Sequence, residues 1–153
     1  MNIRSVLCLG VVLFALAGAA AAKEPSLCVA ADSSFGDALE EISSQFTGTT
    51  GCRVEVLRGE SAALADQLLA GGRADVYFPS DAESIDRLRE KGIVDVALAR
   101  NIVVVERDGQ DPAYLRAVVL AGAENRLQAM AFLDFLVSEP ARGVFSAHGF
   151  ALP

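Results

Sequence analysis

Three times between residues 27 and 82, a short strand-like segment, apolar or, over Arg53–Leu57, alternating with Val54 and Val56 on one side, ends at a serine-bearing junction and a helical pattern follows. The segments are Leu27–Ala31, Arg53–Leu57 and Ala74–Phe78. The junctions are Asp32-Ser33-Ser34, Gly59-Glu60-Ser61 and Pro79-Ser80-Asp81. Strands separated by helices connect through right-handed crossovers, which points to a parallel sheet with helices on both faces. The expected fold is therefore α/β, a three-layer, parallel-type sheet. Ligands of such sheets bind beyond the carboxyl ends of the strands. Each junction places a serine at that end. If the first two strands are neighbours, Ser34 and Ser61 share one rim, and their hydroxyls and the free N–H groups of the helix starts form a cradle for a tetrahedral oxyanion.

The helices follow from apolar spacing and punctuation. Phe35, Leu39, Ile42 and Phe46 recur at helical spacing and predict a helix over Phe35–Phe46, closed by Thr47-Gly48-Thr49-Thr50-Gly51. Ser34, with Asp37 three residues on, reads as its N-cap in a capping-box-like pattern. Ala62–Ala70 forms the second helix, stopped by Gly71-Gly72. Ser80 and Glu83 fit a capping box for a third over Ala82–Lys91, which Gly92 ends. Ile102–Val105 reads as a buried parallel strand, apolar on both faces, and Leu115–Leu120 as a fifth strand. Asn125–Val137 and Pro140–Ser146 are the last helices, with proline allowed in a first turn.

Residues 1–22 have the pattern of a secretory signal peptide: Arg4, an apolar run over Val6–Ala17, and Ala20-Ala21-Ala22 before Lys23. Cleavage near Ala22 leaves about 131 residues, enough for one domain with a real core. The whole chain has a net charge of −7, and losing Arg4 takes it to about −8. Such a charge argues against nucleic acid or anionic membrane surfaces as partners. It also gives an anionic ligand no long-range attraction, so an anion site here must work through short hydrogen bonds. Cys28 and Cys52 remain after cleavage. An exported compartment permits their pairing, and two buried thiols are the alternative. Two thiols and His148 show no metal-ligand spacing, and nothing in the chain calls for a cofactor.

Several segments together resemble the periplasmic molybdate-binding proteins that serve ABC importers. They are Ala30-Ala31-Asp32-Ser33-Ser34 with Asp37-Ala38-Leu39, Ser61-Ala62-Ala63-Leu64-Ala65-Asp66-Gln67-Leu68, and Ala74-Asp75-Val76-Tyr77-Phe78. Leu98-Ala99-Arg100-Asn101, Ala131-Phe132-Leu133-Asp134-Phe135-Leu136 and His148-Gly149-Phe150 continue the match toward the end. The resemblance implies one lobe of a periplasmic-binding-protein type II fold over residues 23–153. It implies a periplasmic location, a ligand such as molybdate or tungstate, and delivery to an ABC permease. It places ligand contacts at Ser34 and Ser61, with Ser33 next. Two features depart from the family. The family's second lobe belongs largely between Val105 and Tyr114, where this chain has only a short connection. Asp32 stands where the family has an apolar residue, and Glu60 where a small or hydroxyl residue is usual.

Other readings follow from the same residues. An isolated lobe would expose a surface for self-association, or for docking on a permease or sensor. A degenerate remnant without transport would keep the same motifs. Gly59-Glu60-Ser61-Ala62-Ala63 also resembles a nucleophile elbow. A serine hydrolase would then draw on Ser61, His148, and Asp111 or Asp134.

Overall fold

The computed structural model describes residues 26–105 and 113–151. The expected signal peptide and Asp111 lie outside these residues. The order of elements is β1 (Ser26–Asp32), a 3₁₀ turn (Ser33–Phe35), α1 (Gly36–Thr50), β2 (Arg53–Gly59), α2 (Ser61–Leu69), β3 (Val76–Phe78) and α3 (Ala82–Glu90). Then come β4 (Val94–Val105), β5 (Ala113–Leu120), α4 (Arg126–Leu136) and α5 (Glu139–Ala147).

The strands form one five-stranded sheet in the order β2-β1-β3-β5-β4. β1 lies between β2 and β3 and is parallel to both. The chain thus leaves β1 for one side of the sheet and returns to the other, which creates a switch point at the carboxyl end of β1. Alternation along the strands sorts the core into two layers. Leu27, Val29 and Ala31 of β1, with Val76 and Phe78 of β3, pack against α1, α4 and α5. Ala30 and Tyr77 face the other way, against Leu64 and Leu68 of α2 and Ile85 and Leu88 of α3. The three-layer α/β arrangement is the one expected.

The second half of the sheet is not parallel. β5 runs antiparallel to β3, and β4 runs antiparallel to β5. β4 is an edge strand rather than a buried parallel one, and it starts at Val94 instead of Ile102. The reason is the length of the chain between β4 and β5: residues 106–112 are too few for the crossover a parallel pair needs, about a dozen residues or more.

Both cysteines are free thiols. Cys52 is in the layer beside α1, whereas Cys28 packs in the layer beside α2 and α3. The sheet separates them, so the pairing open to an exported chain does not form. Burial, aided by Asp75 and for Cys28 also by Glu55, pushes both thiols above their ordinary range. A thiol-specific reagent is expected to label half-buried Cys28 slowly in the folded protein and Cys52 only after unfolding. Reductant is expected to leave the melting temperature unchanged. A melting temperature that drops with reductant would show a bridge instead.

Candidate functional site

The carboxyl ends of β1, β2 and β3 share one rim, and the three serine junctions meet there around Asp32. Asp32 ends β1 and turns its carboxylate into the junctions rather than toward solvent. Its Oδ1 accepts the Ser34 N–H at 3.0 Å and the Ser34 hydroxyl at 2.7 Å. Its Oδ2 accepts the Ser61 N–H at 3.1 Å, the Ser61 hydroxyl at 2.7 Å and the Ser80 hydroxyl at 3.1 Å. The serines also bind one another: Ser61 Oγ accepts the Ser80 N–H at 2.9 Å, and the two hydroxyl oxygens are 3.1 Å apart. Ser61 is buried, Ser80 half-buried and Ser34 exposed.

This network overturns two caps expected from the sequence. Asp32, not Ser34, accepts the free N–H of the turn that leads into α1. Asp81, not Ser80, caps α3, accepting the Ser84 N–H at 2.7 Å and the Ser84 hydroxyl at 3.1 Å. In both cases a carboxylate beside the serine is the stronger acceptor, because charge shortens and strengthens the bond. The serine hydroxyls are thereby released from capping. Ser33 heads the turn, exposed, and is not among the donors to Asp32. Glu60 precedes α2 as an exposed residue whose side chain makes no capping bond.

Aromatic packing sets the height of the turn. Phe35, directly after Ser34, stacks on Phe78 of β3 with ring centroids 4.4 Å apart and planes 8° from parallel. Phe150 closes over Phe35 at 5.2 Å. Phe78 in turn precedes Pro79 and Ser80, so one stacked pair fixes two of the junctions. The third is held from below: the buried Tyr77 hydroxyl donates to the Ser61 carbonyl at 2.7 Å. At the flank, Arg58 of β2 pairs with Asp37 at 3.0 Å and Glu40 at 2.6 Å, tying β2 to the first turn of α1. A Cβ at Gly36 would lie 2.5 Å from Arg58 Nε, so any larger residue there would push the Arg58 side chain aside.

Burial alone would raise the pKa of Asp32. The hydrogen bonds from Ser61, Ser34 and Ser80 outweigh burial and hold it below the ordinary 3.8. Burial dominates at Tyr77 and pushes its phenol from 10.0 up to about 12.

Among the described residues, the hydrolase constellation is not assembled. Ser61 is engaged with Asp32 and Ser80. His148 lies at the end of α5, with Nε2 3.2 Å from Glu41. Asp134 on α4 accepts from Arg100. Among the described residues, no group of His, Cys, Asp and Glu could hold a metal ion, and no helix is long and apolar enough to cross a membrane.

The α/β sheet thus has a switch point and, at its carboxyl rim, hydroxyl donors gathered around Asp32. Residues 27–106 and 100–151 match the bacterial extracellular solute-binding protein family, and the chain belongs to it. The molybdate-binding protein ModA of Escherichia coli K12 is 34% identical over 97 residues, 60% of this chain. That match spans only 38% of the relative's own length. The fold is shared with a substrate-binding domain of a putative molybdenum ABC transporter from Clostridium difficile (TM-score 0.77, 12% identity, 84% of this chain and 99% of that one). It is shared too with the periplasmic molybdate-binding protein of Azotobacter vinelandii (TM-score 0.74, 14% identity, 83% and 99%).

Asp32 is expected to contribute to stability above the unfolded carboxylate's pKa, about 4, and to lose that contribution as pH falls through its depressed folded value. Acid melts of wild type and Asp32→Asn check this: the wild type should lose melting temperature more steeply below about pH 4. Parallel slopes would show that the carboxylate is not held as described. Phenolate absorbance in a Tyr114→Phe background should place the Tyr77 titration near pH 12 in the folded state. The Tyr77 contribution is complete below about pH 10 and is lost as pH rises from there through the folded value of about 12. Removing the hydroxyl by Tyr77→Phe should cost about 0.5–1.5 kcal/mol, the net value of one hydrogen bond.

Proposed function

We propose that this chain is the exported substrate-binding component of an ABC importer for molybdate, tungstate or a similar tetrahedral oxyanion, acting in the periplasm without chemistry. The observation that carries this reading is the convergence of Ser34, Ser61 and Ser80 on a single anionic group. Donors that surround a carboxylate suit an oxyanion equally, because both are recognised by short N–H and O–H contacts. Membership of the solute-binding family and the likeness to ModA favour molybdate as the ligand. Ser34 and Ser61 are the principal contacts in this reading, with Ser80 and the adjacent backbone N–H groups beside them and Ser33 at the margin.

Affinity follows from the number of donors. One lobe supplies about half the contacts of a closed two-lobed cleft and leaves the ligand open to water. Net hydrogen-bond values of about 0.5–1.5 kcal/mol mean that four missing contacts cost about 2–6 kcal/mol. That loss turns a micromolar site into one of roughly millimolar affinity.

Titration of isotope-labelled protein with molybdate, tungstate and sulfate, followed by amide NMR, tests the reading. Saturable shifts are expected at residues 33–34, 60–62 and 80, in about the millimolar range. The Ser34→Ala, Ser61→Ala double variant should abolish them. Shifts centred elsewhere, or unchanged in the double variant, would contradict the assignment.

A further inference from the structure

Asp32 uses the principal donors of the proposed oxyanion site. Its two carboxylate oxygens receive the Ser34 and Ser61 N–H groups and the Ser34, Ser61 and Ser80 hydroxyls, all at 2.7–3.1 Å. A carboxylate offers about four lone-pair positions, and these five contacts saturate it. It therefore has no lone pair left to accept a proton from a protonated ligand, and it repels a fully ionised one.

We infer that Asp32 is a built-in anion: its carboxylate occupies the oxyanion seat, and an external anion binds only by displacing it. This deepens the oxyanion reading above and rests on it for the identity of the natural ligand. The seat itself is defined independently, by what already sits in it. Ser61 is buried and held on both sides, by the Tyr77 hydroxyl on its carbonyl and by Ser80 on its hydroxyl. Phe35 and Phe78 fix the Ser34 and Ser80 junctions by stacking. Ser61 and the Ser80 N–H, with the stacked Phe35 and Phe78 beside the Ser34 and Ser80 junctions, are thus also held by contacts that do not involve Asp32, and removing its carboxylate leaves a place of carboxylate size lined by these donors. The occupants it would take are small anions with oxygens at carboxylate or tetrahedral-oxyanion spacing.

Two anions separate the inference from the reading beneath it. Formate reproduces the missing carboxylate and tests the seat. Molybdate tests the ligand. Calorimetric titrations of wild type, Asp32→Ala and Asp32→Ala, Ser61→Ala with each anion form the experiment, with circular dichroism confirming the fold. Asp32→Ser serves in the same role if the alanine variant does not fold. Asp32→Ala is expected to bind formate saturably where wild type does not, and molybdate about tenfold or more tighter than wild type. Adding Ser61→Ala should remove both gains. A gain with formate but none with molybdate upholds the built-in anion and overturns molybdate as ligand. Equal molybdate binding by wild type and Asp32→Ala upholds the ligand and overturns the built-in anion. A folded Asp32→Ala or Asp32→Ser with no gain for either anion overturns the inference.

Discussion

The carboxylate of Asp32, held by Ser34, Ser61 and Ser80, is the contact on which the carboxyl rim of this protein depends. It joins the ends of three parallel strands, and the Ser61 hydroxyl oxygen adds a second link by accepting the Ser80 N–H. Without it, the turn after β1, the start of α2 and the junction after β3 would each keep donors facing one another. With it, one negative charge organises all three. The network also explains how an acidic residue is tolerated at a switch point. The charge is not exposed to a repelling field but neutralised by oriented dipoles, which is why its pKa falls despite partial burial.

Rigidity comes from the layers beneath. The Phe35–Phe78 stack and the buried Tyr77 hydroxyl fix the donors from the core side. The two faces of the sheet thus contribute differently. The layer of α1, α4 and α5 supplies aromatic packing, and the layer of α2 and α3 carries the tyrosine and the serine helix starts. The buried Asp75 does comparable work at the opposite rim, accepting the Cys28 and Asn125 N–H groups at 2.9 and 3.2 Å. Both rims are therefore pinned by a carboxylate, but only the carboxyl rim gathers hydroxyls around one.

Much of this was readable from residue order. The strand–serine–helix repeat located the three junctions, and the apolar spacing of Phe35, Leu39, Ile42 and Phe46 located the face of α1. Ser61 was placed at the carboxyl rim because a serine at a helix start after a strand has a recognisable position. Other features were not read. Ser80 was assigned to capping because a capping box does not reveal that a neighbouring Asp81 is the better acceptor. Asp32 looked like an intruder in an anion site, since sequence carries charge but not side-chain direction. The alternation of Val94, Val96 and Leu98 with Asp95, Ala97 and Ala99 was a strand signal for the front of β4. The antiparallel direction of β4 and β5 was implicit in the short chain between them. Cys28 and Cys52 could be neither paired nor separated until the layers were known.

The most direct test of the account is where a heavy oxyanion settles. Crystals of Asp32→Ala grown with molybdate, measured at a wavelength where molybdenum scatters anomalously, would locate it without reference to any functional assay. The account predicts one anomalous peak in the place of the lost carboxylate, within hydrogen-bond distance of the hydroxyls of Ser34, Ser61 and Ser80. A peak elsewhere on the molecule, or an empty rim at saturating molybdate, would contradict it.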